Sequence, residues 1–246
     1  SPRSSRASGL TRFARAFGRV PPCPRAAQQP VPDVGDEEEL EQLLQTYIDA
    51  GIKRLVALRG DLPSGTGVST QYRYANELVE FIRAKTGDHF HIDVACYPET
   101  HPESESYASD VDFFKRKVDA GANSAITQYF YNPDAYFRFA DYCSDAGIEI
   151  PIVPGIMPIT NYANLARFSA NCGAEIPRWL DKRLQSFGDD TESIRNFGID
   201  VVTELCEDLL QGGAPGLHFY SMNLSTSVNQ IWTNLNLNDR KQNQLI

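Results

Sequence analysis

From position 36 the chain places apolar residues at helical spacing. Leu40, Leu43, Leu44 and Ile48 share one face of the stretch over 36–48, which predicts an amphipathic helix. Its acidic first turn suits the positive end of a helix dipole, and Gly51 supplies the stop. An apolar run over 52–58 then predicts a strand that ends in Arg59-Gly60-Asp61. The alternation repeats: strands are predicted at 91–96, 124–127, 149–153 and 216–220. Helices are predicted at 107–120 and 133–146, closed by Gly121 and Gly147, and two or three more fill 161–212.

Strict strand–helix alternation implies a parallel sheet. Each predicted strand ends in polar or glycine-rich residues. In a TIM (β/α)8 barrel that end carries the active site, and in an open Rossmann-like sheet it forms the ligand crevice. Five βα units are visible, whereas a barrel needs eight of about 30 residues each, so about 90 residues are unaccounted for. Residues 1–35 are not expected to supply them, because they hold no strand-like apolar run and read as a disordered leader. Residues 36–237 form the folded unit, and 238–246 a polar tail.

Composition changes this picture in three places. Residues 1–32 contain six arginines and no acid, and without them the chain has 17 basic and 32 acidic residues, a net of −15. An acidic body of this kind argues against a nucleic-acid partner. In the leader, Leu10, Phe13 and Phe17 lie on one helical face among Arg12, Arg15 and Arg19, a composition shared by mitochondrial transit peptides and by disordered segments with no targeting role. The five cysteines are scattered without CxxC spacing, which argues for reduced thiols and a cytoplasmic setting, or a mitochondrial one if residues 1–33 direct import. No run of 18 or more apolar residues occurs, so no membrane span is expected.

Four motifs carry candidate chemistry. Arg59-Gly60-Asp61-Leu62-Pro63-Ser64-Gly65-Thr66-Gly67 has Thr66 where a phosphate loop requires Lys, so it is not a Walker A site. Either it is a surface turn, or its two charges at a strand tip are used. The cluster Tyr97-Pro98-Glu99-Thr100-His101-Pro102-Glu103 matches no zinc spacing, and a hydrogen-bonding role toward a ligand fits it better than a metal. Lys115-Arg116-Lys117 is either a solvated basic helix face or a clamp on a cofactor diphosphate. Gln128 ends a strand with a donor and an acceptor at its tip, which suits either a turn or the edge of a heterocycle.

These motifs occur in fixed order with Ala-Ile-Thr-Gln at 125–128, Pro-Gly-Ile-Met-Pro at 154–158 and His-Phe-Tyr-Ser-Met-Asn at 218–223. The string, from about residue 40 to 225, resembles the methylenetetrahydrofolate reductases. The resemblance implies a TIM barrel of which strands 1–3 are missing here. It implies FAD as cofactor, NADH or NADPH as co-substrate, and reduction of 5,10-methylenetetrahydrofolate to 5-methyltetrahydrofolate. It also implies a homo-oligomer for the complete protein.

By the same resemblance Leu58, Arg59, Gly60, Asp61, Tyr74, Ala75, Tyr97, His101, Asp110, Arg116 and Lys117 contact the flavin cofactor. Asp61 and Gln128 serve catalysis and, with Phe168, the folate. Three features depart from the family pattern. A Phe-Glu-Phe-Phe-Pro-Pro type segment, which carries the family's general acid on the first strand, does not occur. Leu224 stands where many members have Arg after the Asn. The C-terminal regulatory domain of eukaryotic members is also missing. The alternative reading is therefore an inactive fragment, or a pseudoenzyme partner of an intact subunit.

Overall fold

A computed structural model describes residues 29–31, 37–58 and 74–237. Two parallel sheets run through them. The larger has the order β1 (Gln29–Val31), β2 (Arg54–Ala57), β3 (His91–Cys96), β4 (Ser124–Thr127) and β5 (Ile152–Val153). The smaller pairs β6 (Gly155–Ile156) with β7 (His218–Phe219). The helices are α1 (Glu37–Asp49), α2 (Ala75–Thr86), α3 (Tyr107–Asp119), α4 (Pro133–Asp145), α5 (Tyr162–Cys172), α6 (Arg178–Ser186), α7 (Thr191–Gln211) and α8 (Ser225–Asn234).

The predicted strand over 149–153 is one extended segment that serves two neighbours. Its first part pairs with β4 and its continuation with β7. Pro154 divides the two because it has no N–H for a ladder, while its carbonyl still accepts from the His218 N–H at 3.0 Å. Just beyond it, the Gly155 N–H donates to Thr127 Oγ1 at 2.8 Å. A Cβ on Gly155 would lie 2.1 Å from the Thr127 carbonyl oxygen, so only glycine lets these backbones approach. The parallel array thus runs continuously from β1 to β7.

Three features correct the sequence reading. Gln29–Val31, assigned to the leader, pairs in parallel with Leu55, Val56 and Ala57. Pro30 is compatible with this position because it lies on the outer strand of the described sheet. α2 fills a stretch that was given no element, burying Leu78, Val79, Phe81 and Ile82. α8 was also unassigned, and it packs on α7 around Ile231.

Strand parity sets the two faces apart. Leu55, Ala57, Ile92, Val94, Cys96, Ala125 and Ile152 are buried beneath the helices. The opposite face, which looks inward in a (β/α)8 barrel, carries Arg54, His91, Asp93 and Ser124 at the N-terminal strand ends. Outside the sheet, Arg83 of α2 ties the segments that feed two strands. Its guanidinium donates to the carbonyls of Gly121 at 2.7 Å and Phe90 at 2.8 Å.

Candidate active site at the strand ends

The C-terminal strand ends gather most of the predicted residues. Leu58 follows β2 and is 39% exposed. Arg59, Gly60 and Asp61 lie outside the described residues. Tyr74 and Ala75 open α2, where the Tyr74 N–H donates to the Glu77 carboxylate at 3.0 Å. The Tyr74 ring stacks on Phe113 of α3, centroids 6.5 Å apart and planes 16° apart. The Arg116 guanidinium sits 5.0 Å from the Phe113 centroid, an i,i+3 pair on one helix face.

The basic run on α3 divides three ways. Lys115 faces solvent and pairs with Asp119 at 3.5 Å. Arg116 joins the aromatic stack. Lys117 reaches back to the sheet, its ammonium donating to the Ala95 carbonyl of β3 at 2.9 Å. The run is thus not one uniform face: Lys115 is solvated, Arg116 covers Phe113 of its own helix, and Lys117 alone of the three reaches a strand.

The loop after β3 is tightly cross-braced. Tyr97 and His101 meet edge to face at 4.5 Å. Asp110, in the first turn of α3, accepts from the His101 backbone N–H at 2.8 Å and from the Ser104 hydroxyl at 3.1 Å. The Glu103 N–H donates to His101 Nδ1 at 3.0 Å, which in a neutral imidazole leaves the proton on Nε2. Thr100 takes φ 94°, a region costly for a residue with a Cβ. A distant segment helps hold this loop, because the Glu175 N–H donates to Glu99 Oε2 at 2.8 Å.

Gln128 follows β4 and extends the ladder, its N–H donating to the Cys96 carbonyl at 2.8 Å. Its side-chain oxygen accepts from the Tyr129 N–H at 3.0 Å, so the amide NH2 is the group it offers outward. Tyr97, Glu99, Thr100, Gln128, Tyr129 and Cys172 enclose a small cavity of about 10 Å³, room for about one water. Phe168 belongs to α5, with the Arg167 guanidinium 5.2 Å from its ring. Ser169 then anchors α5 to the β4 end through a 3.0 Å bond to the Tyr129 hydroxyl. Burial raises the Tyr129 hydroxyl well above its ordinary range.

Phe113 escaped the sequence reading although its three-residue spacing from Arg116 was visible. The inward-facing polar cluster escaped too. Asp93 is fully buried, and Arg54 holds it with two bonds, of 2.6 and 2.8 Å. Burial alone would raise this carboxyl, but the nearby His91 ring, 3.7 Å away, and hydrogen bonds from Arg54 and Ser124 hold it far below the carboxylate range. A charged residue inside the apolar run 91–96 was the available signal. Among the described residues no group of three metal-binding side chains occurs, and no helix is long and apolar enough to cross a membrane.

Parallel βα units with polar, aromatic and cationic groups converging at the strand C-terminal ends define an α/β protein of the TIM-barrel type. The family model described as methylenetetrahydrofolate reductase matches residues 34–236. The chain is 40% identical over 218 residues to methylenetetrahydrofolate reductase (NADH) 1 of Arabidopsis thaliana, covering 83% of this chain and 37% of that one. It is 40% identical over 213 residues to the Zea mays protein of the same name, covering 81% and 36%. It is 40% identical over 186 residues to the 5,10-methylenetetrahydrofolate reductase of Escherichia coli K12, covering 76% and 62%. The chain belongs to the methylenetetrahydrofolate reductase family, and it spans about a third of the length of the plant relatives it matches.

Proposed function

We propose that these residues belong to a reductase that uses FAD and NADH to convert 5,10-methylenetetrahydrofolate into 5-methyltetrahydrofolate. The observation that carries the reading is the Tyr74–Phe113–Arg116 column, in which Tyr74 at the start of α2 meets Phe113 and Arg116 of α3, the helix that also carries Asp110 and Lys117. Flat rings, a guanidinium and an ammonium are the donor set that a dinucleotide cofactor needs. Both plant relatives have NADH in their names, which supports NADH over NADPH.

FAD, when bound, supplies the hydride chemistry. Arg116 and Lys117 offset the charge of its diphosphate. His101 offers its Nε2 proton to a phosphate or ribose oxygen. Asp110 fixes the loop shape by holding the His101 N–H and the Ser104 hydroxyl. Tyr97, packed on His101, closes one wall, and Leu58 and Ala75 border the ring system. The Gln128 NH2 donates to a carbonyl of the pterin or of the nicotinamide, which bind in turn. The family resemblance assigns Phe168 to the folate, and Asp61, outside the described residues, to the flavin and the folate.

The test begins with the visible spectrum of the purified chain after incubation with FAD. NADH oxidation is then followed with a quinone acceptor and with methylenetetrahydrofolate. Stoichiometric flavin with folate-dependent NADH loss is the expected outcome for the reductase. Folded protein that takes up no flavin would overturn the proposal. Flavin uptake without turnover would support instead a non-catalytic partner.

A further inference from the structure

A second cleft lies outside the site just described. Its volume is about 400 Å³, within the range of small-molecule pockets, and it opens between α3 and α4 on the side of the strand C-terminal ends. Glu99 from the loop after β3 and Glu175 from the α5–α6 connection form its acidic wall. Tyr107 of α3 and Tyr142 of α4 contribute aromatic surface, meeting edge to face at 5.3 Å. Arg138, one turn before Tyr142 on α4, brings the opposing charge.

The charges in this cleft are near each other but not joined. Glu99 accepts from the Glu175 backbone N–H through Oε2, and Arg138 spends its Nε–H on the Asp134 carbonyl of its own helix at 3.3 Å. None of the three side chains forms an ion pair within 4.0 Å with a described residue. Burial raises the Glu99 carboxyl and the Glu175 charge adds to it, against the lowering effects of the Glu175 N–H bond and the Arg138 charge. The acidic wall is therefore short of positive charge, while the guanidinium lacks a carboxylate in contact. A ligand that presents an ammonium and a carboxylate on adjacent atoms satisfies both, and an apolar or aromatic substituent fits the tyrosine surface.

We propose that this cleft binds a free α-amino acid with an aromatic or large apolar side chain. Arg138 takes the ligand carboxylate, Glu99 and Glu175 take its ammonium, and Tyr107 and Tyr142 take its side chain. Pro98 and Glu99 line this cleft and also the small cavity beside Gln128, so an occupant here touches the loop that carries Tyr97 and His101.

Calorimetric titration of the purified chain with L-phenylalanine tests the proposal, and it requires neither flavin nor turnover. Phenethylamine, which lacks the carboxylate, and 3-phenylpropionate, which lacks the ammonium, are titrated beside it. The expected result is saturable binding of the amino acid and at least about tenfold weaker binding of each half-ligand. Arg138→Gln should weaken L-phenylalanine about tenfold and leave phenethylamine unchanged, and Glu175→Gln should do the same with 3-phenylpropionate unchanged. Arg138 and Glu175 are exposed, so both variants should keep the wild-type circular dichroism. No binding of L-phenylalanine at millimolar concentration would overturn the proposal. So would equal binding of the half-ligands and the amino acid, or wild-type affinity for L-phenylalanine in both variants.

Discussion

Arg54 and Asp93 lock β2 to β3 through a two-pronged contact, Nε to Oδ2 at 2.6 Å and Nη2 to Oδ1 at 2.8 Å. Asp93 is completely buried, whereas the Arg54 side chain keeps 18% exposure. Removing the arginine would leave a buried carboxylate with hydrogen bonds but no full counter-charge. Arg54→Ala should therefore destabilise the fold by about 3 kcal/mol, read as a drop in the urea midpoint with unchanged slope. The double variant Arg54→Ala, Asp93→Ala should recover part of that loss. A double variant less stable than Arg54→Ala alone would show that the pair is not what holds the strands.

Acidification should weaken the protein in two separate windows. Burial lowers the His218 imidazole below its ordinary value near 6.5. The unfolded chain then binds a proton more readily than the folded one, so stability falls as pH drops from about 6.5 toward the folded value. Asp93 acts lower. Its depressed carboxyl gives stability that is complete above about pH 4 and is lost as pH falls further. His218→Phe should flatten the upper window only, and Asp93→Asn the lower only, in denaturation midpoints measured across pH. Loss of both windows in either variant would contradict this assignment.

Much of this architecture was readable from periodicity, and what was not has physical causes. The apolar runs at 91–96 and 124–127 became strands because helices bury one face of each. Gln29–Val31 gave no such signal, since three residues at the sheet margin depend on a partner more than 20 positions away. α8 was hidden because its sequence is polar apart from a few positions around Ile231. α2, by contrast, shows apolar Leu78, Phe81 and Ile82 at helical spacing and was legible in principle. In the site, Tyr97, His101 and Asp110 were legible as polar residues around one strand end, but that they meet one another, with Asp110 holding the His101 backbone N–H, depends on a loop conformation that spacing does not encode.

Gly155 should tolerate no side chain. A Cβ there would stand 2.1 Å from the Thr127 carbonyl oxygen and 2.6 Å from the Tyr220 ring. The tyrosine cannot simply swing away, because its hydroxyl donates to that same carbonyl at 2.9 Å. Gly155→Ala should cost about 3 kcal/mol and lower the thermal midpoint accordingly. Gly213, with open space around its Cβ position, offers a control for the glycine itself: its φ of 94° makes Gly213→Ala a backbone-strain change without a clash. The Gly155 variant should be clearly the worse of the two.

The aromatic column makes the sharpest prediction for the proposed cofactor. Phe113 stands between the Tyr74 ring and the Arg116 guanidinium, and it is 41% exposed, so its loss leaves no core cavity. Phe113→Ala should leave the melting temperature of the flavin-free protein nearly unchanged. It should weaken FAD binding about tenfold, because one stacking and one cation–π contact are removed together. Phe113→Tyr, which keeps the ring, should bind as wild type. Arg116→Gln should also weaken FAD, but its loss should shrink at high salt, since the screened part of the attraction is already gone there. Fluorescence quenching of FAD on titration with each variant gives all three constants. If Phe113→Ala binds FAD as tightly as wild type, the column is a surface feature and not part of the cofactor site.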